Sequence, residues 1–158
     1  MRASHRQLVA DLIESGVLKT PAIIAAFEAV DRSDFLPLLE RGQAYVNDPL
    51  PIGFGQTISQ PWTVAFMLEK LAPAVGHRVL DIGSGSGWQT ALLAHIVGPP
   101  AGGGKVIGLE LIPELWQGSR QNLARYNFLR RGVVELHCVN AAKGFSAEAP
   151  FDRIISAA

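Results

Sequence analysis

A run of alternating glycines is the stretch of this sequence whose residue types and spacing point most directly to chemistry. An apolar segment ends in the acid Asp81, and Gly83, Gly85 and Gly87 follow it at alternating positions. This order is typical of a buried parallel strand, a tight turn and a helix whose N-terminus points at a ligand. Glycine tolerates the positive φ of such a turn, and its bare backbone lets a ligand approach closely.

The spacing of these glycines narrows the class of ligand. A dinucleotide-binding fingerprint has the form G-x-G-x-x-G, but Trp88 occupies the position of its last glycine. A Walker phosphate-binding loop is also excluded, because no G-K-[ST] follows. Alternating glycines after a strand that ends in an acid look like the first motif of the Rossmann-like methyltransferases, which bind S-adenosylmethionine. The alternative is a glycine-rich turn with no ligand.

A second acid, Glu110, ends the next apolar segment, KVIGLEL, about 20 residues after the glycine turn. Neighbouring strands of an open parallel sheet end on the same, ligand-binding side. We therefore expect Glu110 to accept hydrogen bonds from the hydroxyls of a ribose. The alternative is a carboxylate that caps a helix or is solvated.

The segment YVNDPLPIGFGQTISQP, residues 45–61, is rich in proline and glycine, and no regular element is expected to run through it. Polar Gln56, Thr57 and Ser59 surround apolar Ile58 there. One interpretation is an ordinary surface loop. The other is a loop that packs over a bound ligand, because loops beside a ligand-binding turn carry much of an enzyme's specificity.

The elements that position these residues follow from hydrophobic periodicity and from helix-breaking residues. The sequence predicts helices over 4–15, 21–30, 62–71, 88–97 and 114–128, and strands over 78–82, 105–111, 133–139 and 151–156. The Thr20 hydroxyl is expected to cap the second helix. The order of strands and helices predicts an α/β fold, a doubly wound parallel sheet with an N-terminal helical extension.

Composition limits the class of protein. Of 158 residues, 48% are hydrophobic and 18% charged, which favours a folded domain over disorder. The formal net charge of zero gives no sign of the excess positive charge that nucleic-acid-binding proteins usually carry. No apolar run approaches the length of a membrane span. The single cysteine, Cys138, excludes an intrachain disulfide, fits a reducing cytoplasm and is expected to be a small buried group. The histidines share no ligand spacing, so no metal site is predicted.

Four segments together resemble the protein-L-isoaspartate O-methyltransferases: LPIGFGQTISQP, VLDIGSGSGWQTALLA, VIGLELIPEL and APFDRIISAA. The resemblance covers nearly the whole chain, and GQTISQP is more specific to that family than the glycine turn. It implies an enzyme that transfers a methyl group from S-adenosyl-L-methionine to the free carboxyl of isoaspartyl residues in damaged proteins. It also implies two segments, with helices and the active-site loop in 1–60 and a Rossmann-like cofactor-binding core in 61–158.

The resemblance further implies roles for single residues. Ser59 and Thr57 match the hydroxyls of the family's active-site loop, and Ser59 is the expected catalytic-site group. The residues implied to contact the cofactor are Gln56, Thr57, Ile58, Ser59, Asp81, Gly83, Ser84, Gly85, Gly87, Glu110, Leu111, Asn140 and Ala141. The enzyme is expected to be a cytoplasmic monomer that acts on isoaspartyl proteins and has no nucleic-acid or membrane partner.

Two features depart from the family's pattern. Asn140 and Ala141 replace the acid and glycine that usually follow the third strand, which predicts weaker cofactor binding. The chain is also expected to be shortened after about the fourth strand of the sheet, which would leave an apolar strand edge exposed. Two alternatives stay open: a methyltransferase of the same fold with a small-molecule or RNA acceptor, and a non-catalytic domain that binds a partner.

Overall fold

A parallel sheet with helices packed against it forms the centre of the molecule. The computed structural model describes residues 4–98 and 103–157, to which all structural statements refer. The helices are α1 His5–Glu14, α2 Pro21–Ala29, α3 Pro61–Leu71, α4 Trp88–Val97 and α5 Pro113–Ala124. The strands are β1 Leu50–Gly53, β2 Gln56–Ile58, β3 Arg78–Ile82, β4 Lys105–Glu110, β5 Val134–Cys138 and β6 Arg153–Ser156.

The four strands β3 to β6 form the sheet in the order β5-β4-β3-β6, and all three pairings are parallel. Val79 and Val106 face the large buried cluster that contains α4, whereas Leu80, Ile107 and Leu109 face a smaller cluster. Both faces of β3 and β4 are therefore covered, which explains their near-continuous apolar sequences. The predicted α/β class and parallel sheet are confirmed.

The prediction that no regular element runs through 45–61 is wrong. Strands β1 and β2 pair antiparallel in a short hairpin, with Pro51 opposite Thr57. Gly53, Phe54 and Gly55 all have positive φ, of 93°, 55° and 71°, and form the connection. The glycines make the turn of the hairpin. Both strands of a two-stranded sheet are edge strands, and a proline such as Pro51 is tolerated in an edge strand.

Three smaller predictions also need correction. The Thr20 side chain does not cap α2, because its hydroxyl donates to Glu69 of α3, whose carboxylate also accepts from the backbone N–H of Lys19 and of Thr20, each at 2.7 Å. Helix α5 ends at Ala124 and is followed by turns, so it stops before residue 128. Cys138 is exposed and not buried, because β5 is the edge of the described sheet.

One buried cluster runs from the N-terminal helices through the hairpin to the sheet. It includes Leu12 of α1, Phe27 of α2, Ile58 of β2 and Leu92 of α4. The cluster crosses residue 60, and the division into 1–60 and 61–158 stays a prediction. Within the described ranges, no helix has the length and apolar character needed to cross a membrane.

Candidate functional site

The candidate site is built around the turn that joins β3 to α4. Gly83, Gly85 and Gly87 have φ values of 76°, 54° and 91° in this turn. A side chain is strained at such values, so the alternating glycines are a backbone requirement. The turn follows the central strand β3, so it lies at the carboxyl edge of the sheet, where open α/β sheets bind ligands.

Glu110, at the end of β4, fastens the turn to the neighbouring strand. One carboxylate oxygen accepts from the Gly85 N–H at 2.8 Å, and the other accepts from the N–H groups of Leu111 and Ile112 at 2.8 and 3.0 Å. A carboxylate offers about four acceptor positions, so roughly one remains for a ligand hydroxyl. The sequence predicts that Glu110 accepts from two ribose hydroxyls, but its contacts with the backbone leave a position for only about one.

Asp81 lies beneath the turn and is fully buried. Its carboxylate accepts from Gln89 Nε2 at 2.9 Å and from Thr90 Oγ1 at 2.6 Å, which fastens the first turn of α4 to β3. Burial raises the pKa of the Asp81 carboxyl, and these two hydrogen bonds act in the opposite direction. Asp81 lines neither of the cavities beside the turn, so the structure places it as a support of the turn.

The first of these cavities has a volume of about 290 Å³ and lies on the β4 and β5 side of the turn. It brings together five predicted cofactor residues, Gly83, Glu110, Leu111, Asn140 and Ala141, and its other walls are Ile82, Leu109, Val139 and Ala142. The Asn140 side-chain oxygen accepts from the Ala142 N–H at 2.9 Å, so this acceptor is used within its own turn. The mostly apolar walls and the Glu110 carboxylate suit the base and sugar of a nucleoside.

The second cavity, of about 40 Å³, lies on the hairpin side of the same turn. Its lining residues are Thr57, Ile58, Ser59, Val64, Gly83, Ser84, Gly85, Ser86, Trp88, Gln89 and Ala157. Since Gly83 lines both cavities, the hydroxyl-bearing loop and the nucleoside-sized space meet at one residue. These shared walls place Ser59 and Thr57 beside the glycine turn, as the sequence predicts.

Gln56 and Gly87 are predicted site residues that line neither cavity. Gln56 is exposed at the start of β2. A Cβ atom at Gly87 would lie 3.2 Å from Leu123 Cδ1 and 3.2 Å from Ser119 Cβ, so this glycine allows α4 and α5 to pack closely.

Arg32 holds the hairpin side of the site, and the sequence prediction did not include it. Its side chain is 1% exposed, and the guanidinium donates to four backbone carbonyls, those of Ala44, Val46, Asp48 and Ser59, at 2.8 to 3.2 Å. Burial lowers the pKa of Arg32 to about 10, partly opposed by the Asp48 charge, so the group stays protonated at neutral pH. No local signal in the sequence singles out Arg32, because Asp31 and Asp34 lie beside it between the same two apolar residues, Val30 and Phe35.

A third cavity, of about 500 Å³, lies between α1 and α2, away from the turn. None of the predicted site residues lines it; its walls are His5, Arg6, Val9, Ala10, Ile13 and Glu28. Among residues 4–98 and 103–157, no group of three or more His, Cys, Asp or Glu side chains is arranged to hold a metal ion.

Comparison with known proteins supplies an independent view of these features. The family model described as protein-L-isoaspartate(D-aspartate) O-methyltransferase matches residues 3–158. The chain is 44% identical over 157 residues to the protein-L-isoaspartate O-methyltransferase of Aeropyrum pernix, covering 99% of this chain and 58% of that protein. The corresponding protein of Methanopyrus kandleri is 42% identical over 154 residues, covering 98% of this chain and 66% of that protein. The chain thus spans about three fifths to two thirds of the length of these relatives.

Solved structures agree on the fold. A Plasmodium falciparum β-aspartate methyltransferase in complex with S-adenosyl-L-homocysteine superposes with a TM-score of 0.86 at 26% identity, covering 98% of this chain and 73% of that one. A SAM-dependent O-methyltransferase of Thermotoga maritima superposes with a TM-score of 0.54 at 29% identity, over 63% of this chain and 35% of that one. These matches confirm the predicted Rossmann-like methyltransferase fold.

Proposed function

This chain belongs to the protein-L-isoaspartate(D-aspartate) O-methyltransferase family, and we propose that it transfers a methyl group from S-adenosyl-L-methionine to the free carboxyl of isoaspartyl residues. The observation that carries the proposal is the meeting of two cavities at Gly83. One cavity presents the hydroxyl-bearing residues Thr57 and Ser59, and the other has the apolar walls and single carboxylate that suit a nucleoside.

The residues beside the turn fit the cofactor. Glu110, Leu111, Asn140 and Ala141 would hold its adenosine part, and Gly83 and its neighbours in the turn would hold the remainder. When bound, the cofactor supplies a methyl group that its own sulfonium charge activates. The Plasmodium falciparum structure contains bound S-adenosyl-L-homocysteine and has the same fold over 98% of this chain, which supports this assignment.

The acceptor needs orientation more than activation. An isoaspartyl carboxyl is already ionised at neutral pH, so no general base is required. The protein then contributes alignment of the carboxylate and exclusion of water. Hydroxyl donors such as Ser59 and Thr57 suit that task. A cation would instead stabilise the carboxylate mainly in the ground state, and ground-state binding does not accelerate methyl transfer. Arg32 does not compete for the acceptor, since its guanidinium is bonded to backbone carbonyls.

We further propose that the protein works as a cytoplasmic monomer on isoaspartyl proteins, without a nucleic-acid partner. The zero net charge supports the last point, because proteins that bind nucleic acid usually carry a basic surface. A lone, exposed Cys138 is compatible with a reducing compartment.

A second candidate is a domain that binds the cofactor without methylating isoaspartyl residues. One observation favours it. The Asn140 side-chain oxygen accepts from the Ala142 N–H, which leaves one of its two acceptor positions for a ligand, and the amide lacks the charge of the usual acid.

Transfer of labelled methyl from S-adenosylmethionine to an isoaspartyl peptide, with the matched aspartyl peptide as control, tests the proposal. We expect labelling of the isoaspartyl peptide alone. Ser59→Ala should lower kcat about 10-fold or more with little change in cofactor affinity, the effect expected from removing one orienting donor. Ser146→Ala is the control, since this serine is exposed and lines neither cavity. Equal labelling of both peptides contradicts the proposal, and cofactor binding without labelling supports the second candidate.

A further inference from the structure

Two buried polar atoms beside the glycine turn have no hydrogen-bond partner within the described residues: the Ser84 hydroxyl oxygen and Trp88 Nε1. The Ser84 and Trp88 residues are 6% and 3% exposed. Buried polar atoms of folded proteins nearly always have a partner, so each exception calls for a physical reason. Both residues line the 40 Å³ cavity on the hairpin side of the turn.

The surroundings of Trp88 fix its ring without satisfying its N–H. Phe27 packs against the ring in a T-shaped arrangement with 5.7 Å between centroids, and the Arg32 guanidinium lies 5.4 Å from the ring centroid. The guanidinium has only donors, so it cannot accept a hydrogen bond from the indole N–H. The buried carboxylate of Asp81 bonds to Gln89 and Thr90 and forms no hydrogen bond with Trp88 Nε1. A partner for Trp88 Nε1 is therefore expected to enter through the cavity.

The chemistry of the cavity selects an anionic acceptor. An indole N–H only donates, and a serine hydroxyl can donate as well. The Arg32 charge over the ring favours negative charge nearby and makes the indole N–H a better donor. Thr57 and Ser59 contribute two more hydroxyls to the same walls. The volume of about 40 Å³ exceeds the roughly 10–15 Å³ that one water molecule needs, so the cavity has room for a group of the size of a carboxylate.

We propose that Trp88 Nε1 donates a hydrogen bond to a carboxylate that enters this cavity. The ligands named under the proposed function, on which this inference rests, offer two such groups. One is the amino-acid carboxylate of the cofactor, and the other is the isoaspartyl carboxylate of the acceptor. In either case Trp88 is a ligand-binding residue of the site, and its ring is positioned by Phe27 and Arg32.

The indole N–H signals of the ¹⁵N-labelled chain test this directly. The chain has three tryptophans, and the Trp88 signal is the one lost in Trp88→Phe. Trp116 is the internal reference, because its Nε1 already donates to the Leu136 carbonyl at 3.2 Å. The ligands are S-adenosylhomocysteine, methylthioadenosine, which lacks the amino-acid part, and the isoaspartyl or aspartyl peptide added with S-adenosylhomocysteine.

We expect the Trp88 indole proton to move downfield while that of Trp116 moves little. A shift with S-adenosylhomocysteine but not with methylthioadenosine identifies the cofactor carboxylate. A shift that requires the isoaspartyl peptide, and is not produced by the aspartyl peptide, identifies the acceptor. An unmoved Trp88 signal in a chain that binds these ligands overturns the inference.

Affinity provides the second readout. Trp88→Phe should weaken the binding of the identified ligand about 10-fold, and Trp116→Phe should leave it unchanged. Benzothienylalanine at position 88 has sulfur in place of the N–H and keeps the ring's size, so it should reproduce the loss even where Trp88→Phe fails to fold. Unchanged affinity in the benzothienylalanine variant overturns the inference. A wild-type chain that binds S-adenosylhomocysteine but methylates no isoaspartyl peptide contradicts the proposed function. In that case the Trp88 signal still decides whether the present inference holds. A chain that binds no ligand contradicts both the proposed function and this inference.

Discussion

The two walls of the site are built in different ways. The glycine turn continues the buried strand β3 into α4, and Glu110 of the adjacent strand bonds to it. The hairpin lies outside the sheet, with Phe54 at its tip 59% exposed, and Arg32 holds the Ser59 end through its carbonyl. The wall at the glycine turn is thus part of the sheet's core, whereas the hairpin wall is held by its packing on the buried cluster and by Arg32, a side chain from a separate segment. Single substitutions can therefore test the glycine-turn wall and the hairpin wall separately.

The largest effect is expected for Arg32→Met, which leaves four backbone carbonyls without their donor. The free energy of unfolding should fall by about 3–4 kcal/mol, since hydrogen bonds to a buried charged group are among the strongest in proteins. Urea denaturation measures this change. Arg125→Met is the matched control, because Arg125 bonds to Asp34 at the surface and should contribute less than about 1 kcal/mol. Equal losses in the two variants would show that Arg32 has no special part in holding the hairpin.

Glu110→Ala tests the opposite wall. Removal of the carboxylate leaves the backbone N–H groups of Gly85, Leu111 and Ile112 without their acceptor. The affinity for S-adenosylhomocysteine should fall roughly 30-fold, about 2 kcal/mol. Calorimetric titration measures the affinity. Full retention of binding would mean that Glu110 neither shapes the turn nor contacts the cofactor.

Gly87→Ala measures how far the turn depends on backbone conformation. Its φ of 91° strains any side chain, and the new methyl would press on Leu123 and Ser119. The midpoint of thermal unfolding should fall by the equivalent of about 1–2 kcal/mol. Gly118→Ala, within α5 and with no neighbour within 4 Å of its added Cβ, should instead stabilise the protein slightly. The same sign of effect at both positions would contradict this interpretation of the turn.

Glu69→Gln should have the smallest effect and tests the attachment of the N-terminal helices to α3. Burial alone would raise the pKa of Glu69, but hydrogen bonds from Thr20 and Lys19 outweigh it and lower the pKa below its ordinary value of 4.5. A depressed pKa in the folded state stabilises the protein above pH 4.5, and the contribution is lost as pH falls through the lowered value.

The difference in stability between wild type and Glu69→Gln should therefore be below about 1 kcal/mol at pH 7 and vanish under acid conditions. Denaturation series at several pH values measure it. Glu28→Gln, the same change at an exposed position of α2, is the matched control. A difference that grows on acidification would reverse the sign of the proposed contribution.

Much of the wall at the glycine turn was predictable because its determinants are local. The alternation of Gly83, Gly85 and Gly87 after an apolar strand specifies the turn through backbone conformation alone. The hairpin was missed because proline and glycine mark both irregular loops and tight hairpins, and only the pairing partner distinguishes them. The contact between Glu69 and Thr20 could not be predicted, since the two residues are 49 positions apart in the sequence.

The α/β class, the parallel sheet and the family follow from the sequence alone, because periodicity, glycine spacing and the segment GQTISQP are properties of short stretches. The set of residues that line each wall of the site depends on the tertiary fold. It placed Asp81 beneath the turn, used most of the Glu110 carboxylate on backbone N–H groups, and set Arg32 behind Ser59 and Trp88. Hydrogen-bond partners and burial depend on elements that meet from distant parts of the chain, and no local pattern specifies them.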